Sequence, residues 1–147
     1  MKTAVRIAAI VLLVAGAIVA KDRLGLRRAA SPAATQASGS SREPLPGSQF
    51  APSLKSGKPT MADFGAGWCE ACKKMVPVLA ESAATYQGKA NVVFVDTDTY
   101  PEQAKSFQIT AIPTQIYFDT KGKEAARHVG FMPMEDVSAQ MAALGVK

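Results

Sequence analysis

Cysteine and histidine are scarce in this chain, which has two cysteines and one histidine in 147 residues. A fold held together by disulfides needs more cysteines, and a structural zinc site needs four ligands, so neither class is favoured. The two cysteines, Cys69 and Cys72, are separated by only two residues. A disulfide that closes so short a loop constrains the unfolded chain very little, so structural cross-linking does not explain the pair.

A basic excess on the folded part of the chain is also lacking. The net charge is +5, and residues 1–43 account for all of it, with seven basic and two acidic residues. The ten basic and ten acidic residues that remain in 44–147 cancel. A nucleic-acid-binding domain would carry its basic excess on the folded part, so we expect no nucleic-acid partner.

Only one long apolar run is present, and it lies near the N-terminus. Lys2 and Arg6 precede an apolar run over residues 7–20, which is the pattern of a secretory signal. The run is short for a helix of about 20 residues that spans a membrane, although a snorkelling Arg6 would lengthen it. We interpret residues 1–20 as a signal peptide or an N-terminal membrane anchor. Residues 21–49, basic and then rich in Ala, Ser, Pro and Gly, predict a linker, and residues 50–147 a folded domain.

The two cysteines occur in the run Gly67-Trp68-Cys69-Glu70-Ala71-Cys72-Lys73, between an apolar segment and a helical pattern. A helix that begins at Cys69 would favour a thiolate there and lower its pKa below the roughly 8.5 of a free thiol. Cys72 lies one turn later on the same side, where it can resolve a mixed disulfide. The pattern predicts a dithiol redox site. Inert core cysteines, or half of a zinc site with His128, are the structural alternatives.

Hydrophobic patterning divides the domain into alternating strands and helices. Strands are predicted over 59–64, 91–96, 114–119 and 124–129, the last two joined by a hairpin turn at 120–123. Helices are predicted over 69–87, from a Thr99–Glu102 capping box to about Phe107, and over 133–144, with a short helix or turn at 50–58. The buried face of the first long helix is assigned to Met75, Val76, Leu79, Ala83 and Tyr86. This order predicts a mixed β-sheet with helices on both faces.

Residues 50–145 resemble the thioredoxin family. The features that carry the resemblance are Trp68-Cys69-x-x-Cys72-Lys73, Asp63 six residues before Cys69, Pro77 five residues after Cys72, Ile112-Pro113-Thr114, Gly122 and Gly130. The active-site run is also similar to the C-terminal domain of the DsbD-type membrane reductases. The resemblance implies a thioredoxin fold of the α/β class, with a central mixed β-sheet flanked by helices on both faces.

The resemblance also implies a role for each matched residue. Cys69, Cys72 and Asp63 would be catalytic, with Asp63 as a buried acid of raised pKa that exchanges a proton with Cys72. Trp68, Ile112, a cis Pro113 and Gly130 would bind substrate, together with Val129 and Phe131. One departure concerns Phe94, which stands where many thioredoxins carry a lysine near the buried acid. Without that cation we expect Asp63 to be harder to ionise.

Glu70, between the cysteines, opposes a thiolate, and no cation lies between them, so we expect a reductant rather than a strong oxidant. We therefore predict a thiol-disulfide oxidoreductase that reduces disulfide-containing client proteins without cofactor or metal. It would be tethered to the inner membrane on the periplasmic side of a bacterium and recharged by a membrane electron-donor thiol reductase. A disulfide oxidase or isomerase using the same site is one alternative. A metal-binding or copper-delivery module is another.

Overall fold

The computed structural model describes residues 43–147, so the predicted leader at 1–20 and residues 21–42 of the predicted linker lie outside the described residues. The strands are β1 (Leu45–Pro46), β2 (Thr60–Gly65), β3 (Asn91–Asp96), β4 (Thr114–Phe118) and β5 (Glu124–Val129). The helices are α1 (Phe50–Leu54), α2 (Glu70–Thr85), α3 (Pro101–Ser106) and α4 (Met134–Ala143), with a 3-10 turn at Gly47–Gln49. None of the helices within 43–147 is both long and apolar enough to span a membrane.

The five strands form one mixed sheet in the order β1-β3-β2-β4-β5. β1 and β2 each run parallel to β3, whereas β4 is antiparallel to both β2 and β5. All six residues of β2 are buried, because this strand lies at the centre of the sheet and is covered on both faces. The predicted mixed sheet of the thioredoxin fold is confirmed.

Each face of the sheet carries its own apolar core. One core joins Met61 of β2 and Tyr117 of β4 to the inner faces of α2 and α4. The other contains Phe50, Phe64 and Phe118 under α1 and α3, where Phe107 completes a cluster of rings whose centroids lie 5.1 to 6.0 Å apart. Successive side chains of a strand point to opposite faces of the sheet, so the apolar residues of β2 and β4 make both faces apolar and each face needs a cover of helices.

Strand β1 was not predicted, and it lies within the segment assigned to the linker. Leu45 and Pro46 pair with Val93 and Phe94 of β3, so the sheet begins before the predicted domain boundary at residue 50. The strand is only two residues long and exposed, so it has no hydrophobic alternation to reveal it.

The predicted capping box of Thr99 and Glu102 is wrong. Helix α3 begins at Pro101 after Tyr100, and no side chain caps its first turn. The carboxylate of Asp96 accepts the backbone N–H groups of Asp98 and Thr99 at 3.0 and 2.8 Å instead. An Asx turn at the end of β3 has therefore replaced the cap.

Val76 was assigned to the buried face of α2, and this prediction is also wrong. Its side chain is 60% exposed, whereas Met75 and Leu79 are buried. The buried stripe also includes Cys72, Val78 and Ser82. Helix α2 thus faces the sheet along a line one residue away from Val76.

Candidate active site

The dithiol lies where β2 gives way to α2. Cys69 is the N-cap residue of α2 and is joined by a disulfide to Cys72, with 5.2 Å between their Cα atoms. The backbone N–H of Cys72 donates to the sulfur of Cys69 at 3.2 Å. A sulfur in this position receives one of the free N–H groups of the helix N-terminus, so negative charge on it is stabilised.

Cys72 packs directly on the end of β2. A Cβ atom added to Gly65 would lie 3.3 Å from the Cβ and 3.4 Å from the sulfur of Cys72, and 3.0 Å from the ring of Phe94. The missing side chain of Gly65 therefore makes room for Cys72 on this face of the sheet.

Asp63 lies two residues before Gly65 and therefore points to the same face of β2. Its side chain is fully buried, and its Oδ1 accepts a hydrogen bond of 2.6 Å from Nε2 of Gln115. Burial raises the pKa of Asp63 to about 6, although the hydrogen bond from Gln115 opposes this rise. The second carboxylate oxygen, Oδ2, has no hydrogen-bond partner. The structure therefore places a carboxyl of raised pKa beneath the dithiol.

Gln115 was not predicted from the sequence. It lies directly opposite Asp63 in the antiparallel β2–β4 pair, and on the other side Asp63 is in register with Phe94 of β3. Cross-strand neighbours on one face are close enough for their side chains to touch. The available signal was a polar residue inside the apolar strand TQIYF, two positions after Pro113.

The segment before β4 approaches the dithiol from the other side. The Ile112–Pro113 peptide bond is cis, and the carbonyl oxygen of Ile112 lies 3.9 Å from the sulfur of Cys69. The backbone N–H of Gly130 donates to the carbonyl of Pro113 at 2.8 Å. Residues 112, 113 and 130, predicted to bind substrate, are thus brought together beside Cys69.

Exposed apolar side chains surround this end of the domain. Trp68 is 68% exposed, and its indole N–H donates to Asp98 at 2.8 Å. Asp98, which was not predicted either, belongs to the turn held by Asp96. Val129 and Phe131 are 56% and 46% exposed on either side of Gly130. We refer to Trp68, Ile112, Val129 and Phe131 as the apolar rim.

Within residues 43–147 no group of three or more His, Cys, Asp or Glu side chains is arranged to hold a metal ion. The single histidine, His128, lies opposite Gln115 on β5, and its Nε2 is 3.2 Å from the carbonyl oxygen of Phe131. His128 thus contacts its own segment through this nitrogen.

Residues 43–143 match the family model described as Thioredoxin. A thioredoxin of Staphylococcus saprophyticus is 41% identical over 91 residues, covering 62% of this chain and 86% of that protein. A thioredoxin of Staphylococcus aureus is 41% identical over 78 residues, covering 53% of this chain and 74% of that protein. A bifunctional thioredoxin reductase/thioredoxin of Mycobacterium leprae is 44% identical over 81 residues, which cover 55% of this chain and 18% of that protein.

Among solved structures, a point mutant of a thioredoxin from Halobacterium salinarum superposes with a TM-score of 0.64 at 23% sequence identity. The match covers 74% of this chain and 96% of that one. At this level of identity the similarity supports the fold.

Proposed function

Because this chain belongs to the thioredoxin family and is a thiol-disulfide oxidoreductase, we propose that it works as a reductant of disulfides in extracytoplasmic proteins. The observation that carries the chemistry is the sulfur of Cys69 at the N-cap of α2, where the N–H of Cys72 points at it. A thiolate is the reactive form in disulfide exchange, and this position favours it.

In the proposed reaction the thiolate of Cys69 attacks one sulfur of the client disulfide. The client S–S bond breaks, one client sulfur leaves as a thiolate, and the other is held in a mixed disulfide with Cys69. Cys72 then loses its proton and attacks the sulfur of Cys69, which releases the second client thiolate. Two electrons pass to the client, and the Cys69–Cys72 disulfide seen in the structure is the oxidised product.

Asp63 is the proposed acceptor of the Cys72 proton. Alternate residues on a strand are about 6.6 Å apart, so Asp63 reaches the neighbourhood of Cys72 above Gly65 through one bridging water. With a pKa raised to about 6 by burial, Asp63 is largely a carboxylate at neutral pH and basic enough to take up a proton. This supports the role that the family resemblance implied for it.

The reducing direction is supported by the charges around the dithiol. Glu70 lies between the two cysteines and forms an ion pair with Lys73, both side chains being largely exposed. Lys73 is therefore engaged with Glu70, so the charge-based stabilisation of a Cys69 thiolate is weak and the backbone N–H is its main support. A strongly oxidising dithiol needs an exceptionally stable thiolate.

Equilibration of the full-length protein with defined thiol–disulfide buffers tests the direction. We expect a reduction potential near that of thioredoxin, about −270 mV, and far from the roughly −120 mV of a strong periplasmic oxidant. A value near the oxidising end would contradict the reductase proposal and favour the oxidase.

The apolar rim is the proposed docking surface for clients. Trp68, Val129 and Phe131 expose apolar area next to the dithiol, and the carbonyl of Ile112 lies beside Cys69. An extended client segment can form main-chain hydrogen bonds with such a segment while its side chains rest on the rim.

The proposed compartment is the bacterial periplasm, with the domain tethered to the inner membrane by residues 1–20. The proposal is supported by the basic start and apolar run of that segment. A membrane thiol reductase would supply the electrons; the Mycobacterium leprae relative, by its name, combines a thioredoxin reductase with a thioredoxin.

A fusion of alkaline phosphatase to the C-terminus of the full chain should be active, because that enzyme needs oxidised disulfides. Equal activity after deletion of residues 2–20 would contradict export by this segment.

A further inference from the structure

The buried acid has one polar neighbour across the sheet. Phe94, Asp63, Gln115 and His128 form a row through β3, β2, β4 and β5, one residue from each strand in register. On the β3 side Asp63 is in register with Phe94, whose side chain has no hydrogen-bonding group. On the β4 side it meets the amide of Gln115, whose side chain is itself fully buried. The 2.6 Å bond between them is the hydrogen bond that holds the carboxyl in place.

Two oxygen atoms in this pair are buried without a hydrogen-bond partner, Oδ2 of Asp63 and Oε1 of Gln115. A carboxylate can only accept hydrogen bonds, whereas a protonated carboxyl also donates one. A glutamine amide offers a donor at one end and an acceptor at the other. The amide N–H of Gln115 can therefore donate to the carboxylate of Asp63, and its oxygen can accept the O–H of the protonated carboxyl.

We propose that Gln115 is a positioning residue for proton transfer by Asp63, and that it serves both forms of the carboxyl. Its Nε2 donates to the carboxylate, as in this structure. When Asp63 is protonated, the amide turns by half a rotation about its Cγ–Cδ bond, and Oε1 accepts the carboxyl O–H. This inference rests on the proposed function, because it names the residue that sets how the proton of Cys72 is received.

The proton of Cys72 is accounted for at each step of the cycle. It leaves the thiol of Cys72 as that sulfur bonds to Cys69, and it arrives on Asp63 through the bridging water. The turn of the amide moves no proton, because Gln115 exchanges a donated hydrogen bond for an accepted one. Asp63 later releases the proton to solvent, or returns it to Cys72 when the disulfide is reduced again.

A cation at this place would act differently. A lysine is only a donor, so it stabilises the carboxylate and opposes its protonation. The chain has Phe94 at the position where the resemblance leads one to expect that lysine. An uncharged amide on the opposite neighbouring strand restrains Asp63 without fixing its charge.

Other titratable groups face this row and must be separated from Asp63. Cys72 lies on it from α2, and Tyr117 is the next residue on this face of β4. Burial raises the pKa of Tyr117, with the charges of Asp63, Tyr86 and Asp136 as smaller causes. His128 flanks Gln115 from β5. The variant His128→Gln removes the ionisable imidazole from this row, and it should leave the Asp63 midpoint in place.

The first test needs no variant at Gln115. In the oxidised full-length protein, the carboxyl carbon of Asp63 and the side-chain NH2 of Gln115 are followed by NMR from pH 4 to 9. We expect the two sets of signals to move with one shared midpoint. Gln115 signals that stay unchanged while Asp63 titrates would overturn the proposal. The oxidised protein is used because disulfide-bonded cysteines do not titrate, so no thiol contributes to the shifts. The measurement also does not depend on the activity of the protein.

The second test uses Gln115→Met, which keeps the length of the side chain and removes the amide. A hydrogen bond to a carboxylate is stronger than one to a neutral carboxyl, so loss of the amide costs the charged form more and should raise the Asp63 midpoint by about one pH unit. The rate of reduction of insulin at pH 6.5 should then fall about threefold, because the carboxylate fraction falls by that factor. Gln103→Met, the same change at another glutamine with a buried unpartnered oxygen, should leave the profile unmoved.

The double variant Asp63→Asn/Gln115→Met separates positioning from packing. With Asp63 gone, Gln115→Met should add no further change to the pH profile. A change as large as in the single variant would overturn the proposal, as would an unshifted Asp63 midpoint in Gln115→Met. Failure of the wild-type protein to reduce insulin would count against the proposed function, while the NMR titration would still decide the role of Gln115.

Discussion

At the scale of single residues, the two cysteines have different surroundings although a disulfide joins them. The sulfur of Cys69 receives a backbone N–H and faces the carbonyl of Ile112, whereas Cys72 is packed against Gly65. Cys69 is thus the sulfur next to the proposed client surface. We expect Cys72→Ser to accumulate mixed disulfides with clients, because the attack by Cys69 proceeds and the resolving step is lost. Non-reducing gels of the full-length variant expressed in its host measure this.

The matched variant is Cys69→Ser, which retains one thiol within the same helical turn. It should capture few clients, because Cys72 is packed against Gly65 of β2, whereas the sulfur of Cys69 faces Ile112 of the apolar rim. Equal capture by the two variants would show that the roles of attacking and resolving thiol have been assigned wrongly.

Asp63 should make the protein less stable as the pH rises. Its pKa is raised from 3.8 to about 6 in the folded state by burial, so between these values the folded protein keeps a proton that the unfolded chain has lost. The free energy of unfolding therefore falls as the pH rises from about 4 to about 6, and this contribution stays constant above that. The variant Asp63→Asn removes this cost and keeps an oxygen that can accept from Gln115.

We expect oxidised Asp63→Asn to be more stable than the wild type by about 3 kcal/mol at pH 7.5, with a difference that shrinks towards pH 4. Urea unfolding of both proteins across this range measures it. A constant difference at all pH values would mean that the gain comes from packing and that the buried carboxyl is not its source.

At the scale of elements, the strands and long helices could be predicted because each contains an apolar run or an apolar face long enough to recognise. The predicted strands agree with β2, β3, β4 and β5 within one residue. Strand β1 was missed, since its two exposed residues depend on pairing with β3 and on no pattern of their own. The predicted capping box of α3 was wrong because the carboxylate of Asp96 accepts the N–H of Thr99, which the box would have paired with Glu102.

In the candidate site, too, the residues that belong to a sequence motif could be predicted, and those that act through a partner distant in sequence could not. The dithiol, Asp63, Trp68 and Pro113 could be named because each belongs to a spaced motif. Gln115 and Asp98 were missed, because each acts by reaching across to a residue that is distant in sequence, 52 and 30 positions away. Such partners are set by strand register and by the path of a turn, and local patterning carries no information about either.

The β4–β5 hairpin offers a test of how elements fix one another. Gly122 has a φ of +74°, and a Cβ there would lie 2.5 Å from the carbonyl oxygen of Leu54 in α1. Gly57 has nearly the same φ, +75°, with nothing within 4 Å. We expect Gly57→Ala to cost about 1 kcal/mol through the left-handed backbone alone. Gly122→Ala should cost about 2–4 kcal/mol, because the turn must also move away from α1.

Denaturant unfolding of the two glycine variants at one pH gives the comparison. Equal losses would show that the turn shifts freely and that the contact with Leu54 does not constrain it. A larger loss for Gly122→Ala would establish that α1 and the hairpin hold each other in place.

At the scale of the whole described domain, the dithiol and the proposed docking surface lie at one end of the sheet. The segments that follow β2 and β3 and precede β4 meet there, because Trp68 donates to Asp98 and the sulfur of Cys69 faces the carbonyl of Ile112. Helices cover both faces, so the exposed large apolar side chains are few, and Trp68, Val129 and Phe131 belong to the rim. Apolar area left exposed beside a reactive sulfur is what a surface for protein clients requires.

The rim should therefore matter for large substrates and not for small ones. We expect Phe131→Ala to raise KM for insulin about threefold to tenfold, because an exposed aromatic side chain gives up contact area with a protein client. Its rate with a small aromatic disulfide should be unchanged, since such a substrate needs only the sulfur of Cys69. Leu45→Ala, which truncates an exposed apolar residue on β1, is the matched control and should leave both substrates unaffected. Parallel losses for insulin and the small disulfide in Phe131→Ala would mean that Phe131 supports the dithiol itself, and the docking surface would then have to be sought elsewhere.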